Sequence, residues 1–187
     1  MANFTQREIK KSFIRLLNER PYNKITVRDI VEDCGINRNS FYYHFQDIPA
    51  LIESIFIEET DKIIAEYPRI ESLEVFVDAL CELVLKNKPA MQHLFCSANR
   101  SMYEQYAMKL CQEMVTKFLD TAFPQLESDP NIRRICIESF KCMLFGFCID
   151  WSTDNFNEDR IEDLHTVCRL LRKLPEVVIA EYGLQTN

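Results

Sequence analysis

Glycine is scarce, with 3 in 187 residues, and the scarcity removes whole classes of chemistry. A phosphate-cradling loop and a nucleophile elbow both need glycines at fixed offsets, and neither pattern occurs. Histidine is also sparse: His44, His93 and His165 leave little general-base material, and no Cys/His pair has instructive spacing. The chain is therefore not expected to be an enzyme, and it calls for no cofactor or metal. Long apolar runs are missing too. Stretches such as Met143 to Ile149 fall far short of the ~20 residues that span a bilayer. Met1 to Arg20 scatters charges among its apolar residues and has no signal-peptide shape, so the expected location is the cytoplasm.

The eight cysteines include no C-x-x-C pair. Cys34, Cys81, Cys96, Cys111, Cys136, Cys142, Cys148 and Cys168 mostly sit among apolar neighbours at helical spacing, as buried reduced thiols do. A zinc site lacks its close ligand spacing. A redox-active thiol stays open, because exposure decides it.

What is present is enough for a core: 47% of the residues are hydrophobic, and a 22.1 kDa chain buries roughly 70% of its unfolded surface on folding. Apolar residues recur every three or four positions with no strand-like alternation, which predicts an all-α fold. Thr5-Gln6-Arg7-Glu8 and Thr26-Val27-Arg28-Asp29 resemble capping boxes and predict helix starts near residues 5 and 26. The first helix, with Ile9, Phe13, Leu16 and Leu17 as its stripe, should stop near Pro21. Two short helices follow, about 27–34 and from Asn37 to His44 or Phe45, joined through Gly35. Two short helices around a glycine turn form a helix-turn-helix. Longer helices are expected over about 48–66, 71–87, 89–97, 101–122, 131–152 and 160–174, with a short one after Pro175.

Charge is divided. Residues 1–45 carry Arg7, Lys10, Lys11, Arg15, Arg20, Lys24, Arg28 and Arg38 against Glu8, Glu19, Asp29, Glu32 and Asp33. That is a balance of +3, with -10 on the rest of the chain. A positive segment beside a negative remainder points to a polyanionic partner for the first. On a helix beginning after Asn37, Phe41 and Phe45 share an inward face with Ile36, Val27, Ile30, Phe13 and Leu17 as core partners. Arg38, Asn39, Ser40, Tyr42 and Tyr43 face outward with groups suited to base edges and phosphates. Such a helix inserts its N-terminal residues into the major groove of double-stranded DNA, leaving Tyr42 and Tyr43 to flanking phosphates. Thr26, at a helix N-terminus, is a further phosphate candidate.

Thr26-Val27-Arg28-Asp29-Ile30, Cys34-Gly35-Ile36-Asn37-Arg38 and Phe41-Tyr42-Tyr43-His44-Phe45 leading to Leu51 resemble the N-terminal signature of the TetR family of bacterial transcription regulators over about residues 5–52. The resemblance implies a three-helix DNA-binding domain, residues 1–47, and a larger helical domain, residues 48–187, that dimerises and holds an effector. It adds Arg28 and His44 to the DNA-binding candidates. Two positions depart from the family: Ile48 stands where many members carry a phosphate-touching Lys, and Asn39 replaces a frequent Gly.

In the second domain, Ile132, Cys136, Phe140, Leu164, Cys168 and Leu171 mark helices whose apolar faces suit a homodimer interface. Tyr103, Phe118, Phe140, Met143, Phe147 and Trp151 are the side chains from which an apolar pocket for an unknown small-molecule effector is expected. The implied function is a homodimeric repressor that binds a palindromic operator and is released by its effector. A regulator or coactivator controlled by a protein partner, and a cysteine-based redox regulator, stay open beside it.

Overall fold

The computed structural model describes residues 2–95 and 100–184; Cys96 and the end of the helix expected over 89–97 lie outside them. The helices are α1 (Ala2–Glu19), α2 (Val27–Asp33), α3 (Arg38–His44), α4 (Ile48–Glu66), α5 (Leu73–Lys86), α6 (Lys88–Phe95), α7 (Arg100–Ala122), α8 (Pro130–Thr153) and α9 (Ile161–Tyr182). Short 3-10 turns at Tyr22–Lys24, Pro124–Ser128 and Glu158–Arg160 join some of them, and no strand occurs among the described residues. The fold is all-α, as the periodicity predicts.

Two helix limits differ from expectation. Thr5 does not start α1, which already runs from Ala2, so Thr5-Gln6-Arg7-Glu8 lies inside the helix. Pro175 does not end α9, which continues to Tyr182. An interior proline costs about 3 kcal/mol by removing one backbone bond and crowding the preceding turn. Here Pro175 is itself buried in line with Leu164, Cys168 and Leu171, so the packed stripe runs through it.

The chain forms two compact units, Met1–Thr60 with Lys86–Tyr103, and Asp61–Leu85 with Glu104–Asn187. Compactness thus groups the residues otherwise than a single cut between 47 and 48: the first turns of α4, all of α6 and the start of α7 pack with the N-terminal helices. The N-terminal core joins Ile9, Phe13 and Leu17 of α1, Ile30 of α2, Phe41 of α3 and Leu51 of α4 with Ala90 and Leu94 of α6. Polar ties fix α6 on α1. Asn18 Oδ1 accepts from the Ala90 amide at 3.3 Å, and His93 Nδ1 donates to the Leu17 carbonyl at 2.7 Å.

The C-terminal unit buries Met114, Val115 and Phe118 of α7, Phe140, Leu144 and Trp151 of α8, and Leu164 and Cys168 of α9. Between α8 and α9 the chain turns through Asn155 and Phe156, both at positive φ. Burial of Phe156 against Trp151, with ring centroids 5.2 Å apart, and the bond from Trp151 Nε1 to the Asn157 carbonyl at 2.8 Å hold that strained turn. Lys117 of α7 reaches the carbonyls of Ile64 and Tyr67, closing the C-terminal end of α4.

Candidate nucleic-acid interface

The helix-turn-helix is built by local chemistry. The Thr26 hydroxyl accepts from the Asp29 amide at 3.3 Å, and the Asp29 carboxylate accepts from the Thr26 amide at 2.8 Å, so the predicted capping box starts α2. At its other end Gly35 takes φ +66, while Ile36 N bonds the Val31 carbonyl and Gly35 N the Glu32 carbonyl. That pair of bonds is a Schellman stop, which needs a left-handed residue and so favours glycine. Asn37 then caps α3, its Oδ1 accepting from Ser40 N at 2.8 Å.

Burial sets the orientation of α3. Phe41 is wholly buried and Phe45 nearly so, their rings 6.0 Å apart, with Val27 and Ile36 packed against the same core. The opposite face carries Arg38, Asn39, Tyr42 and Tyr43, all exposed, Tyr43 to 79%. Arg38 and Tyr42 are joined: a guanidinium nitrogen donates to the Tyr42 hydroxyl at 3.1 Å, and the guanidinium carbon lies 5.5 Å from the ring centroid. Stacking of this kind holds a cation on a preformed platform without neutralising it. Tyr43 packs edge-on against half-buried His44, and the Ser40 hydroxyl bonds Asn37 Oδ1 at 3.1 Å. Arg38, Asn39, Tyr42 and Tyr43 are therefore brought together on one face, with Ser40 and His44 at its margins.

The α2 candidates are differently placed. Thr26 and Arg28 are exposed, but the amide and hydroxyl of Thr26 are engaged by Asp29, and Arg28 Nε bonds Glu32 at 2.6 Å. The Thr26 bonds, from hydroxyl and amide, hold the Asp29 carboxyl below its ordinary value, which keeps a negative charge at the α2 start. Several N-terminal cations are likewise committed: Lys10 to Glu58 at 2.7 Å, Arg15 to Asp33, and Arg20 to Asp29 at 3.2 Å. Among the described residues Arg38 makes no ion pair. Ile48, at the position of the family's lysine, packs partly buried against the N-terminal core.

The C-terminal candidates separate. Tyr103 is buried in the N-terminal unit, its ring beside Phe56 and Phe95, whereas Phe118, Phe140, Met143, Phe147 and Trp151 belong to the C-terminal unit. There Phe118, Phe140 and Trp151 are buried, and Met143 and Phe147 half-buried. Of the residues read as a dimer face, Cys136, Phe140, Leu164, Cys168 and Leu171 are buried within this one chain and Ile132 is half-buried. The exposed apolar side chains of α8 and α9 include others: Ile135 on α8, and Leu170, Leu174 and Val177 on α9. Helical periodicity marks Ile135 and Leu174 as apolar positions of their helices but does not say which of two apolar faces the chain itself covers, and it gives no signal for Leu170 and Val177.

An all-helical chain that presents a capped recognition helix on an N-terminal helix-turn-helix has the form of a DNA-binding transcription regulator. The family model for bacterial regulatory proteins of the tetR family matches residues 14–55, and one for a transcriptional regulator C-terminal region matches residues 71–173. The chain belongs to the TetR family of transcription regulators. Its fold is shared by the dihydroxyacetone kinase operon activator DhaS, at 18% identity and TM-score 0.71 over 91% of this chain and 97% of that one. It is also similar to a TetR transcriptional regulator from Rhodococcus sp. RHA1, at 16% identity and TM-score 0.56 over the same shares. No curated protein matches the chain. No helix among the described residues is long and apolar enough to cross a membrane.

Proposed function

We propose that the chain is a homodimeric repressor, acting in the cytoplasm, in which residues 1–47 read a palindromic operator and residues 48–187 dimerise and bind a small-molecule effector. The observation that carries the DNA half is the face of α3: Arg38 held on Tyr42, next to exposed Asn39 and Tyr43, on a helix capped and packed so that this face alone is presented. Arg38, Asn39 and Ser40 lie in the first turn and enter the major groove. Tyr42, Tyr43 and His44 face the flanking phosphates, and Thr26 and Arg28 contribute by exchanging their present partners for phosphate.

Dimerisation is supported by the apolar side chains left outside. On α9, Leu170, Leu174 and Val177 follow spacings of four and three and so share one face; on α8, Ile135, Ser139, Cys142 and Gly146 do the same and are all exposed. An exposed apolar stripe on two packed helices, rich in small residues on one of them, is suited to a second copy. The effector lowers operator affinity only by the ratio of its affinities for the DNA-competent and released states. Half-buried Met143 and Phe147 are the adaptable side chains nearest to being reachable.

A coactivator that works through a protein partner is the second reading. It is favoured by Ile48, which is packed where a phosphate anchor would stand. Unbiased selection of DNA sites by the purified protein at physiological salt separates the two, because salt sets the nonspecific share of binding. A palindrome with half-sites about one helical turn apart supports the first reading; no motif, from folded dimeric protein, supports the second.

A further inference from the structure

The first turn of α3 carries Arg38, Asn39 and Ser40 in succession, and the chain employs them differently. The Ser40 hydroxyl donates to Asn37 Oδ1 at 3.1 Å, and the same oxygen accepts from the Ser40 amide at 2.8 Å, so Ser40 belongs to the helix cap. One arm of the Arg38 guanidinium is bound to the Tyr42 hydroxyl. Asn39, between them, is exposed, and its side chain makes no hydrogen bond among the described residues. An asparagine at the start of a helix ordinarily turns its side chain back onto the free backbone amides. Here Asn37 already fills that position, which leaves both the donor and the acceptor of Asn39 to solvent.

The chemistry of that side chain selects its partner. A carboxamide sets one N–H donor beside one carbonyl acceptor in a single plane. In the major groove adenine offers the complement, with N7 accepting and the N6 amine donating. Guanine presents two acceptors there, and cytosine and thymine present one polar group each. The stem of asparagine is a single methylene, so it reaches a base edge only where the backbone comes deep into the groove, which is the first turn of a recognition helix. Phosphate attraction has less to offer this surface than its charge count implies, since Lys10, Arg15, Arg20 and Arg28 are each paired with an acid. Sequence-independent binding grows with the cations free to displace counterions, so base contacts carry a larger share of the affinity.

We propose that Asn39 is a specificity-determining residue that reads one adenine in each operator half-site, its Nδ2 donating to N7 and its Oδ1 accepting from the N6 amine. The assignment rests on the operator-binding function proposed above and adds the identity of a base. Consecutive helical residues are offset by about 1.5 Å along the axis, against about 3.4 Å between stacked bases. The adenine therefore lies within about two base pairs of the base read by Arg38.

The test selects sites from random duplexes at physiological salt with the full-length wild type, Asn39→Ala and Asn39→Asp, and then titrates single-base variants of the wild-type site. Both variants are expected to keep the wild-type urea midpoint closely, because the position is exposed and the Asn37 cap is untouched. The wild-type motif is expected to contain an adenine in each half-site whose replacement lowers affinity about tenfold or more. Asn39→Ala makes the four bases at that position equivalent to within about twofold and keeps the preferences elsewhere, including the one set by Arg38. Asn39→Asp moves the preference from adenine to cytosine, because a carboxylate accepts from the cytosine N4 amine and is repelled by adenine N7. A residue that merely supports the helix would produce no such exchange. Base preferences unchanged in Asn39→Ala overturn the assignment. So does a uniform loss of affinity with every preference intact, the mark of a phosphate contact, or a loss confined to a position that is not adenine. No motif from the wild type overturns the operator-binding function and the assignment with it.

Discussion

On α3 the Arg38 guanidinium rests on Tyr42 instead of an acid, so it keeps its charge and is already extended toward whatever the face meets. Arg38→Ala is therefore expected to cost about 1–3 kcal/mol of operator affinity, concentrated at one base position, with unfolding unchanged because the residue is exposed. Binding titrations against single-base variants of the selected site check this; a uniform loss across all variants would instead make Arg38 a phosphate contact. Tyr42→Phe keeps the stacked ring and removes only the hydroxyl, so it should weaken all sequences alike. A different residue-scale consequence concerns pH. The Ser12 hydroxyl, then the Arg15 guanidinium, hold the Asp33 carboxyl below its ordinary 3.8. A carboxyl lowered in the folded state contributes stability that is complete above its unfolded value and is lost as pH falls through the folded one. Urea midpoints of the wild type and Asp33→Asn should differ near neutrality and converge below about pH 4.

At the scale of elements, the α2–α3 turn depends on two residues. A Cβ at Gly35 would meet nothing within 4 Å, so the cost of Gly35→Ala is the left-handed backbone alone, about 1–2 kcal/mol. Asn37→Ala removes the cap of a seven-residue helix and should cost about 1 kcal/mol, with DNA affinity falling further than stability does, since the first turn carries Arg38 and Asn39. Chemical denaturation and DNA titration of the same two variants separate these effects. The turn was legible in the sequence because its signals are local: Thr26 with Asp29, Gly35, Asn37, and Phe41 four residues before Phe45. What was not legible depends on distant partners. Thr5 with Glu8 has the form of a cap, yet α1 starts before it; Pro175 has the form of a stop, yet its ring is buried in the α9 stripe. Asn18 and His93 bind α6 to α1 across more than seventy residues of chain, and no spacing rule joins them.

For the whole molecule, the deciding surface is the one the single chain leaves uncovered. The sequence marks α8 as apolar on more than one side and α9 as carrying an apolar stripe, and the structure allots the sides: Phe140, Leu164 and Leu171 inward, Ile135, Leu170, Leu174 and Val177 outward. A stable dimer buries about 1,200–2,000 Å² in total, which two helices from each chain can supply. Leu174→Lys puts a charge on that outward stripe at a position 43% exposed, so the monomer should fold as before while association fails. Leu171→Lys, three residues away and 4% exposed, buries the charge in the chain's own core and should prevent folding instead. Circular dichroism and sedimentation of the two variants tell these outcomes apart. A folded monomeric Leu174→Lys should then lose about a hundredfold or more in affinity for a palindromic site, because its second half-site contact is no longer intramolecular, while its affinity for a single half-site stays the same. A Leu174→Lys protein that remains dimeric and binds the palindrome undiminished would place the interface on another face, and with it the spacing of the two α3 helices.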